Sequence, residues 1–411
     1  MPQNRSFRVL AMQYVIPVIL FDQLVLPMFH IGPIPFKPSY FLMLFMALRG
    51  SSAGASVPSG RAKRRSIIGN TVTCFACLIG LGVLGQATFC VWFPIGVRDG
   101  VEIVRSIGIL VLMLLAVLAG LRYRGCNSEH MLYIFVADAS VHFMLAFFGQ
   151  NVPWLAALYR SEELEIVSAS GDTRLGMWVN PNGAMLLHNM ILVGLYLGYK
   201  WRRGTQYSIP VYLSVLATAA IICVQLGSRN QSVAFLVIVA VFLWELGKRS
   251  GARSSILLCG CLVILVGGVA WLFTSSSVKS EFEETRLYRR MGEHTTTLEE
   301  ATQRPGIHLE EALRRFTKSP LWGSGFVGDR NYPFTHSPRS YHNDWLRIVV
   351  TGGILSLALM FVLVKRVCLR AGWIMALPLV LPGLTNTFML HIPAIIAYFI
   401  YAGAFFPSKE K

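Results

Sequence analysis

Charge is what this chain has least of. Only 14% of its residues are Asp, Glu, Lys or Arg, where soluble globular domains carry about a quarter. So few ionised groups cannot cover a water-exposed surface of this size, and a soluble fold is excluded on that ground. The deficit is one-sided, with 21 acidic against 37 basic residues and a formal net charge of +16. The polar loops hold no Asp-x-Asp pair and no cluster of histidine with carboxylates, so no metal site is expected. Cysteine is sparse as well. The eight cysteines lie at 74, 77, 90, 126, 223, 259, 261 and 368, and none falls in the longest polar loop, so no disulfide framework holds that loop. Cys74-x-x-Cys77 stands inside an apolar run without a second pair, which reads as packing rather than as a zinc or redox site. A small-residue cleavage site is missing after Arg5, Arg8 and the apolar stretch that follows them, so the N-terminus reads as a retained first span.

What the chain has in abundance is apolar sequence, 54% of 411 residues, with a mean hydropathy of +0.54. Apolar runs of about 17–25 residues cross a bilayer as helices. Candidate spans lie near 9–29, 35–48, 67–94, 103–121, 131–149, 183–199, 208–227, 231–247, 255–274, 343–364, 372–389 and 392–406. Lipid leaves no partner for a bare backbone, so the fold class is all-α: a polytopic membrane helix bundle of about twelve transmembrane helices. Residues 1–274 carry spans one to nine, 275–341 form one large polar helical loop, and 342–411 carry spans ten to twelve.

Basic residues orient the bundle. With both termini inside, the inner turns hold Arg49, Arg61, Lys63, Arg64, Arg65, Arg122, Arg124, Lys200, Arg202, Arg203, Lys248, Arg249, Arg253, Lys365, Arg366 and Arg370, and the termini add Arg5, Arg8, Lys409 and Lys411. That is twenty of the 37 basic residues, and ten of the others sit in the 275–341 loop, which is too long to obey the charge rule. The loop therefore faces out. Positive-inside bias also accounts for much of the net charge, and no nucleic-acid partner is expected.

A bundle buried in lipid has little reason to carry one large polar insert unless the insert works. Within it Leu309-Glu310-Glu311-Ala312-Leu313-Arg314-Arg315-Phe316 is amphipathic at helical spacing and stops at Lys318-Ser319-Pro320. The glycines of Leu321-Trp322-Gly323-Ser324-Gly325-Phe326 then allow a tight turn. Two readings stand: a surface helix with an exposed cap, or a lid over a cavity. The loop closes on Tyr341-His342-Asn343-Asp344-Trp345-Leu346. A histidine at a span start is ordinarily an interface residue satisfied by water, but His342 opens a polar run at the mouth of the bundle. Its near-neutral pKa suits it to accept a proton from an attacking hydroxyl, with Asn343 or Asp344 to orient it. His336 and His308 are weaker alternatives. Arg347, one turn further on, is costly in lipid and should face a wet cavity or an anion. Asp22, Asp138 and Arg105 also lie in or near spans; a structural pairing explains them as well as a function, and no role is assigned.

Ala312-Leu313-x-x-Phe316-x-x-x-Pro320-Leu321-x-Gly323-x-Gly325, then His342-Asn343-Asp344-x-Leu346 and Gly352-Gly353, resembles the O-antigen ligase/polymerase family of bacterial envelope glycosyltransferases. Asn180-Pro181-Asn182 at one span start and Gly227-Ser228-Arg229 in a tight outer turn fit the same pattern, so the likeness runs over about residues 174–390. The resemblance implies a metal-independent inverting glycosyltransferase of the inner membrane with no cofactor. It would move a glycan from a polyprenyl diphosphate to an acceptor hydroxyl on the periplasmic face. Its partners are that lipid-linked glycan, an acceptor glycan or glycolipid, the bilayer and a chain-length regulator. Polymerisation of an O-antigen or exopolysaccharide is slightly favoured over ligation to a lipid A core.

By the same resemblance His342 matches the residue acting on the acceptor. Arginine matches diphosphate oxygens with a bidentate fork, and the candidates for that task are Arg229, then Arg304, then Arg174, with Arg286 competing with Arg304. Asn343, Asp344, Arg347 and Asn182 support the site. For any single arginine, snorkelling to lipid headgroups is the plainer explanation; it is the gathering of several on one face that favours a site. A secondary transporter is the alternative from another class. About twelve spans would suit it, but the two halves show no similarity and the insert is not central.

Overall fold

The computed structural model describes residues 3–26, 29–31, 34–48, 58–90, 97–122, 128–148, 181–201, 207–226, 229–249, 309–326, 343–369, 372–384 and 392–404. Helices dominate them: α1 (Gln3–Leu24), α2 (Ser39–Leu48), α3 (Pro58–Cys90), α4 (Val97–Arg122), α5 (Ser128–Phe148), α6 (Pro181–Lys200), α7 (Ile209–Leu226), α8 (Arg229–Arg249), α9 (Leu309–Lys318), α10 (Asp344–Val367), α11 (Trp373–Gly383) and α12 (Ile392–Ala404). Eleven of the twelve expected spans fall on helices, and the twelfth, 255–274, lies outside the described residues. Among the described residues, four helices are long and apolar enough to cross a membrane, over Ile68–Thr88, Ile103–Leu121, Gln231–Lys248 and Asp344–Val367. Among the described residues the chain forms one ribbon, β1 (Phe29–Ile31) paired with β2 (Ile34–Phe36). Its sequence is rich in β-branched and aromatic residues around Gly32-Pro33, too short and too broken by proline to continue α1.

The chain divides into two compact units. One comprises Met1–Gln23, Phe36–Cys126 and Thr296–Lys411; the other comprises Leu24–Pro35 and Asn127–Thr295. In the first unit α12 packs along α4 and α10 along α3. Asp22, near the end of α1, is a structural residue. Its carboxylate accepts from Ser39 N at 3.0 Å, which caps α2, and its main-chain oxygen accepts from Lys37 Nζ at 2.6 Å. Fully buried Tyr398 of α12 donates to Met375 O of α11 at 2.7 Å. In the second unit α6 is buried along nearly its whole length among α5, α7 and α8. It runs parallel to α8, since Asn189 in the middle of α6 meets Gln231 in the first turn of α8, and Tyr196 meets Phe242 about two turns further along α6 and three along α8.

α10 is not the straight rod that its composition suggests. Gly352 and Gly353 break it, with Gly353 at φ +68° and ψ −170°. In a straight helix Trp345 and Phe361 would stand about 24 Å apart, yet their rings stack with centroids at 5.3 Å. The arm before the glycines therefore folds back alongside the arm after them.

Candidate functional site

A bend of that kind breaks two helical hydrogen bonds inside an apolar bundle, those from Ile354 N–H to Val350 O and from Leu355 N–H to Thr351 O. Nothing in lipid would replace them. The turn after α9 does. Ser324 N–H donates to Val350 O at 2.7 Å and Gly325 N–H to Thr351 O at 2.9 Å, while Ile354 N–H donates to Pro320 O at 2.9 Å and Leu355 N–H to Leu321 O at 3.3 Å. The Pro-Leu-x-Gly-x-Gly turn is thus spliced into the broken helix and supplies a partner to each of the four freed groups. The motif glycines are what let the two backbones touch. Gly323 has φ +71°, and a Cβ there would meet Thr351 C at 2.5 Å and Gly352 N at 2.6 Å. Between a surface helix with an exposed cap and a lid over a cavity, the geometry gives neither in pure form. α9 docks on the first arm of α10 through Ala312, Val350 and Leu346, Arg315 is buried, and the turn is a fixed wall.

A left-handed φ with extended ψ is available to glycine almost alone. Gly353→Ala would drive a Cβ into Leu321 and to 2.5 Å from Trp322 N. We expect that variant to lose about 1–3 kcal/mol, read as a lower thermal midpoint and less monodisperse protein in detergent. Gly69→Ala, which meets nothing within 4 Å, is the neutral control.

The start of α10 is built from three of the residues singled out in the sequence. Asn343 is its N-cap, accepting from Leu346 N–H at 2.9 Å and donating through Nδ2 to Leu384 O at the end of α11, 2.7 Å away. Its amide thus fixes where the helix begins, a more definite role than orienting His342. Asp344 is buried in the first turn, where a carboxylate complements the helix dipole. Trp345 Nε1 donates to Val380 O at 3.1 Å, a second tie to α11. Arg347 lines a half-open cavity of ≈ 90 Å³ whose walls include Leu78 of α3, Ile109 and Met113 of α4, Phe326 of the turn and Met360 beyond the bend. Arg347 is the one charged residue in that lining, beside Ser106, Thr351 and Ser356.

In the second unit Arg229 is the first residue of α8, and Asn182 follows Pro181 at the start of α6. Proline suits the first turn of a helix, where its missing N–H costs nothing. The helices run parallel, so Arg229 and Asn182 stand toward the same end of the α6–α8 pair. Asp138 of α5 is not an unpartnered charge, since its Oδ2 lies 2.9 Å from His188 Nε2 of α6, both groups almost wholly buried. His342, Arg174, Arg304 and Arg286, with the alternatives His308 and His336, lie outside the described residues.

Sequence reasoning passed over Asn189, Gln231, His188 and the cavity wall. The signal was present as the polar pair His188-Asn189 in the middle of Met185–Gly194, an otherwise apolar run.

Apolar helices, several of them long enough to cross a membrane, define a polytopic membrane protein. Residues 213–361 match the O-antigen ligase family model. The match takes in most of α7, α8 with Arg229, the long loop, the spliced turn and α10 through Phe361. It bears out the family likeness read from the motifs and indicates a membrane glycosyltransferase of the O-antigen ligase/polymerase type. No curated protein matches the chain.

Proposed function

We propose that this protein transfers a glycan from a polyprenyl diphosphate to an acceptor hydroxyl at the periplasmic face of the inner membrane, with inversion and without a metal ion. The family match over residues 213–361 carries the reading. His342 takes the proton of the acceptor hydroxyl, and the oxygen forms its bond to the sugar C1 from the face opposite the leaving group. The C1–O bond to phosphate breaks, and polyprenyl diphosphate leaves with the electron pair. Arg229, Arg304 and Arg174 neutralise the diphosphate, with Arg286 as the competing loop ligand. Arg347 and the apolar cavity beside it suit the boundary where an anionic headgroup meets a lipid tail. Asn182 supports the donor side, and Asn343 and Asp344 hold the start of α10 in place. The basic inner turns support cytoplasmic termini and an outward 275–341 loop.

Polymerisation, in which the acceptor is another lipid-linked repeat, is the reading we favour, with a chain-length regulator as partner. Ligation to a lipid A core is the second reading, and the description of the matching family favours it. The test is transfer by purified protein from a polyprenyl-diphosphate glycan in the presence of a metal chelator and with no nucleotide sugar. Products should appear at an undiminished rate with the opposite anomeric configuration. With lipid-linked repeats alone as acceptor, chain growth identifies a polymerase; growth only when lipid A core is added identifies a ligase. Dependence on a nucleotide sugar, or loss of activity in chelator, overturns the mechanism.

A further inference from the structure

We infer that Asn189 is a positioning residue for the donor site, setting the rotation of α8 and with it the direction of Arg229. Asn189 and Gln231 are both fully buried, at 0% exposure. Asn189 Nδ2 donates to Gln231 main-chain O at 2.9 Å and to Gln231 Oε1 at 2.8 Å. A main-chain oxygen can only accept, so the orientation of the amide follows from its partners. Both bonds end on the residue two positions after Arg229, in the first turn of α8.

That location matters because a hydrogen-bonded amide specifies an angle more sharply than the aromatic contacts farther along, where Tyr196 and Tyr199 lie edge-on or tilted against Phe242. Apolar helix faces of similar side chains tolerate small rotations, since one methyl contact replaces another. A buried amide tied to a backbone atom does not, and single buried polar residues fix register in helix pairs for that reason. Residues two apart on a helix point about 200° from each other. Rotation of α8 about its axis therefore swings Arg229 through the same angle as Gln231, and the amide clamp limits both. Cys223 Sγ and Ser232 Oγ, 3.1 Å apart, tie the next residue of α8 to α7, so the first turn is held from two sides.

The inference rests on Arg229 contacting the donor diphosphate, and the experiment separates the two claims. Donor affinity is measured on full-length protein in nanodiscs with polyprenyl-diphosphate glycan as the probe. The variants are Asn189→Leu, Arg229→Ala and the double substitution. Leucine is compatible with an apolar interior, and Gln231→Met, which removes the side-chain acceptor only, provides a milder second variant. Asn189→Leu should weaken donor binding about tenfold, the scale of one or two buried hydrogen bonds. In the Arg229→Ala background it should change affinity by less than about twofold. Gln231→Met should show the same pattern at smaller size. Equal losses in both backgrounds, or no loss in either single variant, overturn the positioning role even where Arg229→Ala alone abolishes binding. Wild-type affinity in Arg229→Ala instead overturns the donor-site reading on which the inference rests.

Discussion

His342→Ala is expected to bind the lipid-linked donor almost as well as wild type and yet to turn over about 10²–10⁴-fold more slowly, the range that general-base catalysis supplies. The split between binding and turnover is the informative quantity, because a base must meet a hydroxyl within hydrogen-bond reach while the donor is held through its diphosphate. The base form is the neutral imidazole. With an ordinary pKa of about 6.5, wild-type turnover should fall about tenfold for each pH unit below that value while donor affinity holds. His342→Gln separates the two explanations. Glutamine keeps polarity and reach but takes no proton at neutral pH, so turnover should stay at the alanine level and the acid limb should vanish. Near-normal turnover in His342→Gln would dismiss the general base, and loss of donor binding in His342→Ala would reassign the residue to the diphosphate.

The elements legible in the sequence are those that local physics decides. Apolar runs longer than about 17 residues can only be helices in lipid, and α3, α4, α8 and α10 lie where those runs are. α9 was legible from its spacing, and the proline after it from backbone chemistry. What the sequence held back is pairing across distance. Pro320-Leu321-x-Gly323-x-Gly325 and Gly352-Gly353 are both visible as glycine-rich signals, but that one is spliced into the other depends on four hydrogen bonds between segments thirty residues apart. The fold-back of α10 is hidden for the same reason: nothing in an apolar run tells a straight helix from one whose broken bonds find partners elsewhere. Asp138 and His188, or Asn189 and Gln231, each read alone as a polar blemish in a span; only their meeting makes them a pair. For the site, the start of α10 was named residue by residue, and Asn343 proved to be a cap and a tie. That Arg229 and Asn182 open parallel neighbouring helices could not be read, because it follows from how α6 and α8 meet.

The second large effect is at Arg229. On the proposed reading it meets the donor diphosphate, whose charge grows as the glycosidic bond breaks and the leaving oxygen takes the electron pair. Arg229→Ala should therefore weaken donor binding about 10–100-fold, the cost of losing hydrogen bonds to a charged group. It should also lower kcat, because the lost contact strengthens toward the transition state. Arg229→Lys tests geometry against charge. Lysine restores the positive charge but presents a single ammonium where the guanidinium offers two parallel donors. We expect it to recover part of the binding and less of kcat, since leaving-group stabilisation depends on the fork staying in register as the bond lengthens. If Arg229→Ala inserts normally and retains wild-type kcat/KM, Arg229 does not touch the diphosphate. If Arg229→Lys equals wild type in both constants, charge alone suffices there and bidentate recognition belongs to another arginine.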